Sequence, residues 1–389
     1  MRAYPPILLE QLVQEVLERN RTINCTDVYS VTNSAGFVPS TEYFNKEVFS
    51  KDISSYKVVR KGMFAYNPSR INVGSLAWLH EMETVVVSPL YIVFQIDDSK
   101  LCHQYLNLFM HSEIGNDQIR HLTTGSVRDS LKFSALKRIS IPLPPIDTQR
   151  RIAAVLDKAQ SLIAARREQI AVLDKLSKDL FIDMFGDPEA NTKDWQWITI
   201  RELVSEVKYG TSKPATVDGR YVYLRMNNIT YDGYMDYSSL KYIDLTEAEY
   251  EKYCVVSGDV LFNRTNSKEL VGKTAVYYGD TPTVIAGYII RIRTNERAIP
   301  EFLSGFLNTR YSKITLTDMC KAIVGQANIN AQELQNIKIY APPIELQKSY
   351  AERITAINRQ KTRIIKSLTE LETLYKSLTQ RAFAGELFT

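Results

Sequence analysis

The sequence predicts an α+β protein: two strand-rich α/β blocks joined by two long antiparallel coiled-coil helices, arranged as a pseudo-two-fold internal repeat. Three observations carry this. Residues 136–149, LKRISIPLPPIDTQ, lie over residues 334–347, LQNIKIYAPPIELQ, at an offset of 198, with the apolar anchors and both prolines coinciding. A heptad pattern of apolar residues follows each Pro-Pro pair. Ahead of each lies a block with short β-branched or alternating runs.

In the first block, residues 1–145, strands are expected at 85–87 and 91–96, and in the second, residues 189–343, along 283–292. Fainter echoes keep nearly the same register: 62–67 (GMFAYN) resembles 258–263 (GDVLFN), and 89–93 (PLYIV) resembles 286–290 (AGYII). The small drift in offset implies loop insertions.

The first helix is expected over 146–188. Ile152, Ala159, Arg166, Leu173 and Leu180 fall seven apart, with Leu156, Ile163 and Ile170 as companions. Gly186 followed by Pro188 is a stop signal. The second helix and its tail occupy 344–389, with Tyr350, Ile357, Ile364, Leu371 and Leu378 in one row, Ile354, Leu368 and Tyr375 beside it, and Lys361 as a misfit. A lone heptad helix cannot bury its stripe, so the two are expected to pack together, with Arg166 opposite a polar layer at Lys361. A helical stretch of about 39 residues at ~1.5 Å each makes a rod of roughly 58 Å.

Composition narrows the function classes. The 389 residues are 44% hydrophobic and 24% charged, which disfavours disorder and fibres and suffices for two cores. The apolar run at 85–94 is broken by Ser88 and Pro89, too short to span a bilayer, and the N-terminus lacks a signal-peptide pattern, so a cytoplasmic protein is expected. Cys25, Cys102, Cys254 and Cys320 are too scattered for a metal site and read as reduced thiols. A net charge of +4 permits nucleic-acid binding without requiring it.

No phosphate loop, cofactor loop, HExxH, nucleophile elbow or CxxC pair is present. Asn67-Pro68-Ser69 is a poor version of the base-holding tetrapeptide of amino-methyltransferases and reads better as a turn. His80, His103, His111 and His121 all fall in the first block, with no counterpart in the second. Two repeated blocks without repeated catalytic groups point to binding rather than turnover.

The segment PLPPIDTQRRI (142–152), opening a long helix that ends at Phe185-Gly186-Asp187-Pro188 and recurring at 342–347, closely resembles the DNA-specificity subunits of Type I restriction-modification systems. So do GDVLFNRTN (258–266), VGK (271–273), SVTN (30–33) and YNPSRIN (66–72). The resemblance implies a non-catalytic protein whose blocks are target-recognition domains and whose helices are spacer and docking surface. It implies double-stranded DNA, two methyltransferase subunits and restriction subunits as partners. S-adenosylmethionine would belong to the methyltransferase, ATP and Mg to the restriction subunit, and no cofactor to this chain. Blocks that differ outside the repeat imply an asymmetric bipartite, gapped recognition site.

DNA readers are expected among loop residues able to grip base edges or phosphates. The candidates are Thr32, Asn33, Arg60, Lys61, Arg70, Asn72, Ser126 and Arg128 in the first block. In the second they are Lys208, Thr211, Arg225, Asn227, Asn228, Arg264, Asn266, Lys268, Lys273 and Gln326. For any one of them a solvated surface role is the alternative; Tyr209 and Tyr223 are core aromatics or phosphate donors. The rival functions are a coiled-coil protein-interaction scaffold and a fused restriction-methylation enzyme, the latter lacking its motifs.

Overall fold

The structure, a computed structural model, describes residues 4–33, 35–43, 52–123, 130–266, 270–320 and 327–388. It divides into two compact units: Met1–Arg166 with Ser367–Thr389, and Arg167–Lys366. The division falls inside the two long helices, Ile146–Phe185 and Ile344–Ala384, so each unit contains a segment of both.

In the first unit an antiparallel sheet has the order Val13–Val16, Ile92–Ile96, Phe64–Tyr66, Leu76–Trp78. Phe64 and Phe94 face each other in register and stack at 5.1 Å. Helices His103–His111 and Glu113–Thr123 bring Tyr105, Leu106 and Phe109 into the core with Ile152 and Leu156 of the first long helix and Phe383 of the second. Separate ribbons, Tyr29–Thr32 with Gly36–Pro39 and Lys57–Arg60 with Thr84–Val87, complete the block.

The second unit repeats the sheet order with Val204–Tyr209, Ile289–Thr294, Val260–Asn263 and Thr274–Val276, again antiparallel. Its core gathers Phe302 and Phe306 of helix Pro300–Leu307 with Phe181, Phe185, Tyr350 and Ile354 of the long helices. Where the first unit has ribbons, this one has a mixed sheet of Lys241–Ile243, Tyr221–Leu224, Thr283–Ile285 and Cys254–Val255, with 221–224 and 283–285 parallel. The run 283–292, expected as one strand, is therefore two. It breaks where the Gly287 N–H donates to Thr211 O at 2.7 Å and the Ile289 N–H to Ala286 O at 2.8 Å, and its halves join different sheets.

The helix segments pack antiparallel within each unit. In the first, Gln160 donates to the Tyr375 hydroxyl and Arg166 Nε to Ser367 Oγ. In the second, Lys361 pairs with Asp174 and lies 3.2 Å from the Tyr234 ring centroid. Arg166 and Lys361 thus each have a partner other than the one expected: the misfit lysine is held by a carboxylate and an aromatic face. Burial pulls the Lys361 pKa below the ordinary lysine value, and the Asp174 carboxylate opposes that pull.

Ile152, Leu156, Ile163, Tyr350, Ile354 and Ile364 are buried, whereas Ile170, Leu173, Leu180, Ile357, Leu368, Leu371 and Leu378 are half-buried. Phe181 and Phe185 are the buried residues at the end of the first helix, and the step from Ile170 to Phe181 is eleven residues. A straight α-helix drifts about 20° per heptad from a 3.5-residue repeat, so a strict heptad row slides off the buried face. The helix stops at Gly186, whose φ of +81° is the left-handed conformation that only glycine adopts without cost.

The duplicated Pro-Pro-x-x-x-Gln segment has a structural meaning. Gln149 is fully buried; its Oε1 accepts the Cys102 N–H at 2.8 Å, and its Nε2 donates to Lys100 O and Pro144 O. Gln347, equally buried, accepts the Ile299 N–H at 2.9 Å and donates to Arg297 O and Pro342 O. In both halves one amide ties the start of a long helix to the start of the first core helix, His103–His111 or Pro300–Leu307. Each bond satisfies a main-chain group at a helix or loop terminus.

Gln347→Leu should therefore destabilise the fold by on the order of 3 kcal/mol, because it strands one N–H and two carbonyls. Gln347→Glu should rescue little, since a carboxylate accepts but cannot donate. Urea unfolding of the three proteins checks this; a glutamate variant as stable as wild type would remove the clamp's role.

Candidate nucleic-acid interface

In the second unit, strand ends bring basic and aromatic residues to one edge of the sheets. Tyr209 closes strand 204–209, Arg225 follows 221–224, Arg264 follows 260–263, Lys273 precedes 274–276 and Tyr288 precedes 289–294. The antiparallel pairing of 204–209 and 260–263 with 289–294 places Tyr209, Arg264 and Tyr288 at the same sheet end.

The Arg264 main chain is fixed on both sides, its N–H donating to Tyr288 O at 3.0 Å and its carbonyl accepting from the Ile329 N–H at 2.9 Å. Its guanidinium lies 4.7 Å from the Tyr209 ring centroid, and Nη1 donates to Gly287 O at 3.4 Å, but Nε is buried without a partner. Tyr209 is held in turn: its hydroxyl accepts the Ala331 N–H at 2.7 Å. Arg225 repeats the theme, with Nη2 donating to Ser239 O at 3.2 Å and Nε buried and unpaired. Burial pushes the Tyr223 phenol up to about 12 and raises that of Tyr288, and the Arg225 charge opposes both shifts. Lys273 Nζ donates to Met226 O at 3.4 Å, and burial lowers its pKa.

Arg225, Arg264 and Lys273 share a decisive property. Each is half-buried, and none has a carboxylate partner among the described residues. Several neighbouring cations are matched instead: Lys208 with Glu206 at 2.6 Å, Arg291 with Glu206, Arg293 with Asp259 at 2.8 Å and Lys213 with Glu249 at 2.5 Å, whereas half-buried Lys313 also lacks a carboxylate among the described residues and donates to Gly272 O. Burial alone would raise the Glu206 pKa, yet the hydrogen bonds from Lys208 and Arg291 and the charge of Arg293 hold it below the usual range. Three partly desolvated cations without counter-charge, with tyrosines nearby, are an arrangement that can accept an anion and offer it stacking faces.

Other candidates in this unit have structural roles or lie elsewhere. Asn228 is buried, accepting the Arg225 N–H at 2.9 Å and donating to Asp236 O and Ser239 O; it orders the turn that carries Arg225. Thr211 is buried, its hydroxyl accepting the Lys213 N–H and its carbonyl the Tyr223 hydroxyl. Asn227 is exposed beside Arg225. Asn266 belongs to a short strand, Thr265–Asn266, paired with Ala327–Asn328. Lys268 and Gln326 lie outside the described residues.

In the first unit Asn33, Arg70 and Asn72 are exposed. Arg70 and Asn72 belong to the turn after strand 64–66, closed by Gly74 at φ +91°, and the Asn33 side chain packs against that glycine. Thr32 is buried, its hydroxyl accepting the Ala35 N–H and donating to Gly36 O. Arg60 and Lys61 precede strand 64–66, at its other end, and pair with Glu18 at 2.8 Å and Glu83 at 2.7 Å. Such exposed pairs are weak enough to exchange for phosphate. Ser126 and Arg128 lie outside the described residues. Among the described residues no group of His, Cys, Asp and Glu could hold a metal, and the four cysteines are free thiols.

The profile of the Type I restriction modification DNA specificity domain matches twice, over residues 27–174 and 192–373. The chain belongs to that family. Among its relatives are the specificity subunit of the Type I restriction enzyme EcoKI from Escherichia coli K12, 24% identical over 72% of this chain and 64% of that one, and the putative MjaX specificity subunit of Methanocaldococcus jannaschii, 27% identical over 50% and 47%. The chain spans about half to two thirds of the length of these curated relatives. The fold is shared with the S subunit of the Type I restriction-modification system of M. genitalium, at a TM-score of 0.64 and 14% identity over 98% of this chain and 96% of that one. A chain of a type I R-M system solved for complex assembly and conformational transition gives a TM-score of 0.54 at 17% identity, covering 99% and 98%.

Sequence reasoning missed Tyr288 and left Tyr209 undecided. The available signal was position: a cation or tyrosine directly flanking an apolar strand, as in YVYL-Arg225, VLFN-Arg264 and Lys273-TAV.

Half-buried cations without counter-charge hold the fold back. Lys273→Met should leave stability unchanged or raise it by up to about 1 kcal/mol at neutral pH. Because the Lys273 pKa is lowered in the fold, the folded state holds that proton less tightly than the unfolded chain. The advantage of the methionine should thus be full below the lowered pKa and fade as pH rises toward the ordinary lysine value. Thermal unfolding across that range tests it; a large loss of stability in Lys273→Met would make the lysine structural.

Proposed function

We propose that this chain is the DNA-specificity subunit of a Type I restriction-modification system. It reads an asymmetric, bipartite, gapped sequence in double-stranded DNA and holds two methyltransferase subunits and restriction subunits on it. The chain itself is non-catalytic and works in the prokaryotic cytoplasm. S-adenosylmethionine serves the methyltransferase partners, which act on a flipped base, and ATP and Mg serve the restriction partner. Among the described residues no helix is long and apolar enough to cross a membrane.

The observation that carries this reading is the edge of the second unit, where Arg225, Arg264 and Lys273 stand unmatched among Tyr209, Tyr223 and Tyr288. Arginine forks onto guanine, lysine and tyrosine position the backbone, and DNA supplies the missing negative charge. Asymmetry follows from difference: the corresponding turn of the first unit offers Arg70, Asn72 and Asn33 instead.

The test is selection of duplexes from a random pool by the chain with its methyltransferase partner at physiological salt. Two unlike short motifs at a fixed gap are expected, and no enrichment by an intact, active complex would sink the proposal. Arg264→Ala should relax one motif only, costing about 1–3 kcal/mol at one position. An equal loss on all sequences, with the salt slope lowered by about 1, would make Arg264 a phosphate contact.

A further inference from the structure

A second site in the same unit has nothing to do with the sheet edge. A cavity of about 610 Å³ opens between residues 174–182 of the first long helix, residues 350–362 of the second and the globular block. Its size suits a drug-sized ligand or an inserted side chain. Its walls are aromatic, with Tyr231, Tyr234, Tyr237, Tyr278 and Tyr350 beside Phe181. Tyr231, Tyr237 and Tyr278 remain substantially exposed.

The buried, unpartnered polar atoms of this lining are of one kind. Two buried side-chain atoms lack a hydrogen-bond partner among the described residues, Asn308 Oδ1 and Asn358 Oδ1, and both are acceptors. The Asn308 orientation is fixed, because its Nδ2 donates to Thr274 O at 2.8 Å and Ser304 O at 2.9 Å, so amide inversion cannot relieve it. Several hydroxyl protons of the lining are committed elsewhere: Thr309 donates to Phe306 O, Thr362 to Asn358 O and Tyr278 to the Glu301 carboxylate.

Three carboxylates line the cavity, and two have cations. Asp232 holds Lys178 at 2.9 Å and Asp174 holds Lys361, whose ammonium rests on the Tyr234 face. At Lys361 the wall therefore already binds an ammonium head of its own chain by a carboxylate and a ring. Glu301 receives the Tyr278 hydroxyl but makes no ion pair among the described residues, and Arg310, the exposed arginine of the lining, makes none either.

We infer that this cavity is a binding site for a guanidinium group. A planar cation with five N–H donors suits this lining, which offers the Glu301 carboxylate to neutralise, the amide oxygens of Asn308 and Asn358 as acceptors, and tyrosine faces for stacking. A simple ammonium has fewer donors in a less suitable geometry, and its places at Asp174 and Asp232 are filled. The guanidinium can come from a free small molecule or from an arginine of a docked protein. The inference stands apart from DNA reading, since it uses none of those residues.

The test is calorimetric titration of the full chain with agmatine and with putrescine, which is agmatine without the amidino group. Agmatine should bind at least about tenfold more tightly than putrescine and weaken by at least about tenfold in Glu301→Gln. Asn358→Leu, which removes an unpartnered acceptor, should weaken binding with the fold intact, and it serves if Glu301→Gln unfolds. Exposed Glu251→Gln should change nothing. Absence of agmatine binding, equal binding of putrescine, or indifference to both substitutions would overturn the assignment. With binding established, adding the methyltransferase partner separates the sources. Displacement of agmatine identifies a partner arginine as the occupant, and retention identifies a free small molecule. Duplex selection by Glu301→Gln should be unchanged, so failure of this site and failure of the DNA reading remain distinguishable.

Discussion

Neither long helix can bury its apolar stripe alone, and the structure depends on this constraint. Each compact unit completes its core with segments of both helices: Ile152, Leu156 and Phe383 in the first, Phe181, Phe185, Tyr350 and Ile354 in the second. A sequence-reading block is thus not a free-standing domain with a helix appended; its hydrophobic core is closed by helices. The buried glutamines act at the same place. By tying the first turn of each long helix to the loop ahead of the first core helix, Gln149 and Gln347 fix rotation as well as position, so that one face of the helix meets the core.

Polar residues serve two opposite purposes in the second unit. Lys361 with Asp174, and Arg293 with Asp259, are charges placed where they can be matched, and such pairs select one packing arrangement at little net gain in stability. Arg225, Arg264 and Lys273 are charges placed where they are not matched. Their retention in a half-buried setting costs free energy in the isolated chain, a cost that the DNA proposed above would offset. Similar lone arginines in the two settings thus differ in meaning through the presence or absence of one carboxylate.

Much of the architecture was legible in the sequence because it is written in period and repetition. The prolines at 144–145 and 342–343, the heptad rows and Gly186 mark the helices, and the duplicated segment announces the duplicated sheet order. What failed depended on three dimensions. A strict heptad row marked Leu180, which packs half-buried against the core, but not Phe181 and Phe185, which helical drift brings in as the buried residues there. The split of 283–292 at Gly287 depends on a hydrogen bond to Thr211, more than seventy residues away in the chain. Within the candidate site, residue type alone could not separate Asn228, consumed by its own turn, from its exposed neighbour Asn227, or Lys208, matched to Glu206, from Lys273, matched to nothing.

The pattern of sameness and difference between the units bears directly on specificity. The elements that repeat are the four-stranded sheet order, the helices behind it and the glutamine clamp, all of which close the core against the long helices. The elements that do not repeat are the parts outside that frame: two ribbons in the first unit, a mixed sheet in the second. Core positions tolerate only volume-conserving change, whereas strand-edge residues such as Arg264 and turn residues such as Arg70 can vary without disturbing packing. A duplicated frame with unlike edges would give one chain two readers of different sequence, as proposed above, while both keep the same attachment to the helices. Recognition can then change in one half without redesign of the other, because the bonds that hold a block in place contain none of the groups that face the ligand.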